Sequence, residues 1–168
     1  MSGRGSNWLL AKVREAGVKV IIDLRTADHT DRYDRNTAEA GLEYHSLPID
    51  SKNTDVHQII GSLPLLFELM DKGYFYIACA MGRHRTDIAI ALYYVMHPSV
   101  PFDEVPEMRG HRNVEKKLFR LDDIAARLNS IIKAITPDEL ATLGLPIDYE
   151  TEFQRRKKHL FDVKRNFE

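Results

Sequence analysis

Residues Tyr74 to Met96 read YFYIACAMGRHRTDIAIALYYVM. The apolar run Tyr74–Ala78 has strand composition and leads into Cys79, the chain's only cysteine. A compact loop follows, and a second apolar run begins near Thr86. The pattern predicts a strand, a turn and a buried helix. Gly82 lies inside the loop, Arg85 stands six positions after Cys79, and Thr86 comes next.

This spacing suits a bound phosphate. If Ala80, Met81, Gly82, Arg83, His84 and Arg85 curl around one point, their backbone N–H groups converge on an anion, with the N-terminus of the following helix behind them. Gly82 permits the turn. The same partial positive charges stabilise a thiolate, which makes Cys79 a candidate nucleophile. Arg85 has a planar fork of donors that can hold two phosphate oxygens through phosphoryl transfer. Thr86 can donate its hydroxyl to the sulfur, lowering the thiolate's basicity and easing its departure.

A lone cysteine in an apolar run is usually a small buried hydrophobe. With average residue usage, however, a cysteine acquires Gly, Arg and Ser/Thr at these three offsets roughly once in a thousand times or less. The loop resembles the signature of the cysteine-dependent protein tyrosine phosphatase superfamily, H-C-x5-R-[ST]. The wording C-A-M-G-R-H-R-T is most similar to the compact dual-specificity group, and within it to atypical plant-, fungal- and bacterial-type members. Two positions depart from the pattern: Ala78 replaces the usual histidine, and Asp87 replaces a common glycine.

The chain has 168 residues, 43% of them hydrophobic, which fits one domain with a sizeable core. Its formal net charge is −1, with 29% charged residues of both signs, so no global field recruits nucleic acid or an anionic membrane. One cysteine allows neither an intramolecular disulfide nor a multi-cysteine zinc site, and no cofactor or metal is expected. A free thiolate and the absence of a leader-like or membrane-spanning apolar run point to a cytoplasmic location. The short strand that often precedes the Arg4–Ser6 region in proteins of this kind is missing, which suggests a short native start or a trimmed chain.

In chain order, Asn7–Ala16 reads as a helix stopped by Gly17, and Val18–Leu24 as a buried parallel strand. The stretch VKVIIDLR is similar to one often found in compact phosphatases. The charged segment from Thr26 to Arg35 reads as a solvated loop before a short helix ending at Gly41, with Asp28 or His29 as a lesser candidate for a pocket rim. Leu42–Ile49 reads as a second strand. Val56–Lys72 reads as two helical stretches interrupted around Gly61–Pro64, with Ser62 capping the second. Phe102–Arg112 reads as a short helix or turn whose Arg109, His111 and Arg112 face water or, as the lesser alternative, the pocket. Val114–Ile135 is an amphipathic helix, Thr136–Glu139 opens another closed by Gly144, and the basic tail beyond Pro146 reads as a solvated helix or frayed end, with contact to an acidic partner or anionic lipid as the alternative. The expected fold is therefore α/β: a central, mostly parallel sheet flanked by helices, phosphatase-type, with additional C-terminal helices. It is expected as a single domain, with a core over about 5–112 and a helical extension over about 113–168.

Phosphoryl transfer to a thiolate also needs a proton for the leaving oxygen. The resemblance implies an aspartic acid on a loop about 30 positions before the cysteine, which makes Asp50 the first choice and Asp55 the second. Asp55 also suits a helix cap, and His84 is the next candidate acid. The leading expectation is a phosphatase acting on phosphotyrosine, phosphoserine/threonine or inositol phosphates through a phospho-Cys79 intermediate. A phosphate-binding pseudophosphatase is the alternative, with Ala78 as its sign. Sulfur transfer or arsenate reduction is disfavoured by Arg85-Thr86 and by the lack of a second cysteine. Expected partners are a phosphorylated protein or an inositol phosphate as substrate, with no nucleic acid and no transmembrane segment, and the sequence sets no oligomeric state.

Overall fold

The computed structural model describes residues 4–25, 30–49, 55–79, 84–104 and 114–161. The chain forms two compact units, Met1–Thr54 with Pro64–Thr86, and Asp55–Leu63 with Asp87–Glu168. The fold is α/β, with a parallel sheet in the first unit and helices before, between and after its strands in sequence.

In the first unit, helix α1 (Arg4–Glu15) presents Leu10 and Val13 to the interior. It ends where Gly17 takes φ +89°, a conformation that costs glycine little and other residues more. Strand β1 (Val20–Asp23) is buried at all four positions, as suits the central strand of a parallel sheet. Helix α2 (Thr30–Glu39) precedes β2 (Glu43–Ser46), and β3 (Phe75–Ala78) completes the sheet in the order β2-β1-β3. Register pairs Asp23 with Ser46 on one side and with Ala78 on the other. The strands are shorter than the apolar runs suggest, yet their ladder extends beyond them. Lys19 N–H donates to Tyr74 C=O at 2.7 Å, Leu24 N–H to Ala78 C=O at 2.9 Å, and Leu47 N–H to Asp23 C=O at 2.8 Å. One face of the sheet is sealed by Leu10, Val13, Ile21 and Leu42, with Tyr44 against them. Each such aliphatic side chain contributes about 1.5–3 kcal/mol on full burial.

Helix α3 (Val56–Asp71) corrects one expectation. It runs unbroken through Gly61–Pro64, with Pro64 inside it, and Ser62 is not a cap: its hydroxyl donates back to Gln58 C=O at 2.7 Å. Pro64 removes one helical donor. The buried residues Ile59, Ile60 and Leu63 before it, and Leu66, Phe67, Leu69 and Met70 after it, outweigh that loss. The boundary between the two units nevertheless falls at Leu63 and Pro64. Leaving α3, Gly73 (φ +68°) and Tyr74 (φ +54°) both take left-handed backbone to turn the chain into β3. The tyrosine ring there is 67% exposed, and Lys19 Nζ sits 5.2 Å from its centroid.

Helix α4 (His84–Met96) begins in the first unit, to which residues 84–86 belong, and its remainder, in the second unit, buries Ile88, Ala89, Ala91, Leu92, Val95 and Met96 completely. A short 3-10 turn covers Phe102–Glu104. Helix α5 (Val114–Ala134) buries Ile124, Leu128, Ile131 and Ile132. Helix α6 (Pro137–Thr142) starts with a capping box between Thr136 and Glu139. Helix α7 (Tyr149–Leu160) differs from the solvated tail expected, because Tyr149, Phe153, Arg156 and Leu160 form a buried stripe along it. The basic residues obscure that stripe in the sequence. The Tyr149 hydroxyl donates to Val95 C=O, and Arg156 Nη1 donates to Tyr94 C=O at 3.3 Å, so α7 supplies partners for the carbonyls at the end of α4. Burial pushes the Tyr149 phenol pKa up, which keeps it a donor. No helix among the described residues is long and apolar enough to cross a membrane.

One surface contact in this unit depends on pH. The ring Nδ1 of His57 lies 2.9 Å from Glu139 Oε1, and this hydrogen bond, with the carboxylate charge, raises the His57 pKa. A raised folded-state value means that the contact stabilises fully below the ordinary histidine range and is lost as pH rises through the higher value. An NMR titration of His57 is expected to show a midpoint above that of a free histidine and to fall in Glu139→Gln. An unchanged midpoint in that variant would remove the pair from the explanation.

Candidate active site

The three strands of the first unit end level with one another, at Asp23, Ser46 and Ala78. In open parallel sheets, ligand sites form outside these carboxyl ends. Cys79 is the first residue beyond β3 at this edge; it is half-buried and forms no disulfide. Thr86, in the first turn of α4, returns to it: its hydroxyl donates to Cys79 Sγ at 3.4 Å. Seven residues fully extended could span roughly 24 Å. The hydroxyl and sulfur are instead in contact, and a hydrogen bond to sulfur favours the thiolate form.

Arg85 is half-buried in that same first turn, next to Thr86. His84 begins the helix. The N-terminus of α4 therefore lies within one turn of the cysteine's hydrogen-bond partner, and a helix N-terminus carries about half a positive charge. Asp87 also lies in that first turn, where a carboxylate favours the helix but opposes a neighbouring anion.

The other candidate residues fare differently. Ala80, Met81, Gly82 and Arg83 lie outside the described residues, as do Asp50, Asp28 and His29, and Arg109, His111 and Arg112. Asp55 is described and exposed, and it caps α3 in the second unit. Its Oδ1 accepts from His57 N–H at 3.3 Å, while its carbonyl accepts from Ile59 N–H at 3.2 Å.

Sequence reasoning passed over a polar network at the same sheet edge. Asp23 is fully buried at the end of β1, where it accepts from the backbone N–H of Arg25 at 3.0 Å, from Arg25 Nε at 2.8 Å and from Arg25 Nη2. The Tyr44 hydroxyl donates to it at 2.9 Å. The signal was an acidic residue closing a β-branched run, with an arginine two positions on.

Among the described residues no group of His, Cys, Asp and Glu could hold a metal ion. A cavity of about 530 Å³ lies elsewhere in the first unit, lined by Arg14, Glu15, Asn36 and Glu39 among others. It contains no nucleophile and mixes charges of both signs.

No family model matches the chain, and no curated protein matches it. A crystal structure described as "Putative phosphatase (DUF442)" from Shewanella putrefaciens CN-32 is similar at a TM-score of 0.46 and 17% sequence identity, over 89% of this chain and 78% of its own. A likeness at that level carries no weight for function, which is read from the chain's own residues.

Proposed function

We propose that this chain is a cysteine-dependent phosphatase of the dual-specificity type, hydrolysing phosphomonoesters of proteins or inositol phosphates through a phospho-Cys79 intermediate. The observation that carries the reading is the Thr86 hydroxyl on Cys79 Sγ, at the carboxyl edge of a parallel sheet and beside a helix N-terminus. In the first step the Cys79 thiolate forms a bond to phosphorus while the ester P–O bond breaks, and Asp50 gives its proton to the leaving oxygen. In the second, water attacks phosphorus, Asp50 takes the water's proton, and thiolate and phosphate are released. The backbone N–H groups of residues 80–85 and the Arg85 fork hold the equatorial oxygens throughout. Thr86 stabilises the departing thiolate.

No metal or cofactor enters these steps. A cysteine of this kind works in a reducing compartment, and we place the protein in the cytoplasm on that ground. Hydrolysis of a simple aryl phosphate, followed by a panel of phosphotyrosine, phosphothreonine and inositol phosphates, tests the reading. Oxyanion binding without turnover of any of these would favour a phosphate-binding pseudophosphatase, the reading to which Ala78 points.

Ala78 also sets a quantitative expectation. In the superfamily that the loop resembles, a histidine precedes the cysteine and adds polarity near the sulfur, which a methyl group does not. Losing one stabiliser among several shifts the thiol upward by about one unit, the scale of a single hydrogen bond. The pH midpoint of iodoacetamide alkylation is therefore expected to lie below that of a free cysteine and to fall by about one unit in Ala78→His. A wild-type midpoint at or above that of free cysteine would favour the pseudophosphatase.

A further inference from the structure

We infer that Arg25, clamped by the Asp23 carboxylate that Tyr44 also holds, is a positioning residue for Cys79; its effect on turnover rests on the phosphatase reading, its effect on the thiol does not. Asp23 is fully buried, and burial alone would push its pKa up; the Arg25 side chain, the Arg25 backbone N–H and the Tyr44 hydroxyl outweigh that and hold it below the usual carboxylate range. It therefore stays ionised and keeps accepting all four hydrogen bonds.

Two of those bonds come from the guanidinium through Nε and Nη2, and a third comes from the same residue's backbone. The Arg25 side chain is only 11% exposed. The chain leaving β1 is thereby folded back onto the strand's last side chain, and Tyr44 ties the arrangement to β2. The residue between the clamped pair is Leu24, whose N–H donates to Ala78 C=O at 2.9 Å. Ala78 is bonded to Cys79 and is also the register partner of Asp23. The network thus fixes the peptide from which Cys79 departs, and with it the distance from Sγ to Thr86.

The pair is neutral overall, so it acts through geometry rather than through the field at the sulfur. A lysine in place of Arg25 keeps the charge opposite Asp23 but has no fork to hold the turn. In Arg25→Lys the pH midpoint of Cys79 alkylation is expected to rise by about one unit as the Thr86 hydrogen bond loosens. The kcat for an aryl phosphate is expected to fall about tenfold with KM near the wild-type value. Tyr44→Phe removes one hydroxyl from a half-buried ring, and smaller shifts in the same directions are expected. It carries the test alone if Arg25→Lys does not fold.

Wild-type alkylation midpoints in the folded variants, whatever their melting temperatures, overturn the inference and leave a stabilising role only. A shifted midpoint in a protein whose wild type hydrolyses no phosphate supports the positioning role and sinks the phosphatase reading. Normal wild-type turnover with no shift in either variant does the reverse.

Discussion

Cys79→Ser is expected to lose turnover by several orders of magnitude while still binding phosphate or vanadate. The serine hydroxyl is nearly isosteric with the thiol, but at neutral pH it is almost wholly protonated. The stabilisers at this position, the Thr86 hydroxyl and the N-terminus of α4, suit a thiolate already formed. On the proposed reading the anion-binding groups, Arg85 and the loop N–H donors, are separate from the nucleophile and untouched by the change. Calorimetric titration with vanadate beside an aryl phosphate assay separates the two functions. Normal hydrolysis by the serine variant would rule out a phospho-cysteine.

Asp50→Asn is expected to lower the rate by about 10²- to 10⁴-fold for substrates with poor leaving groups, and much less for good ones. A poor leaving group departs as an unstable alkoxide unless a proton arrives in the same step, whereas a nitrophenolate needs none. The basic limb of the pH profile is expected to flatten in the variant, because on the proposed mechanism Asp50 is the group whose deprotonation ends activity. Asp55→Asn serves as the control. Asp55 is engaged as the cap of α3, so its loss is expected to lower stability by about 1 kcal/mol or less, with little leaving-group dependence. The opposite pattern would exchange the two assignments, and no effect at either position would move the role to His84.

The parallel sheet was legible because β-branched runs such as Val20–Ile22 sit between clear stops, and a strand buried on both faces leaves a continuous apolar signature. Capping chemistry was equally readable at Thr136–Glu139, where both halves of the box are local in sequence. Pro64 misled because it is a local signal, whereas the burial that carries α3 through it depends on residues packed from elsewhere. In α7 the stripe of Tyr149, Phe153, Arg156 and Leu160 includes an arginine, so hydrophobicity alone underestimates the buried face. The Arg156 guanidinium is accepted there because Glu152 and the Tyr94 carbonyl receive its donors.

At the candidate site, Cys79, Arg85 and Thr86 stood out because their chemistry is tied to fixed spacing in one loop. The Asp23–Arg25–Tyr44 network did not, since its third member comes from another strand and only the register of β1 on β2 brings it near. A buried carboxylate also contradicts the usual expectation for aspartate in a strand. Its meaning depends on partners that a linear reading does not supply.

The measurement that tests the central claim most directly is acid quench of the enzyme during turnover of an aryl phosphate, followed by mass spectrometry of its peptides. The account predicts one added phosphoryl group on the peptide containing Cys79, accumulating in the Asp50→Asn variant when a good leaving group is used. It also predicts that the label is absent in Cys79→Ser. Active turnover with the phosphoryl group on another residue, or with none trapped in any variant, would contradict it.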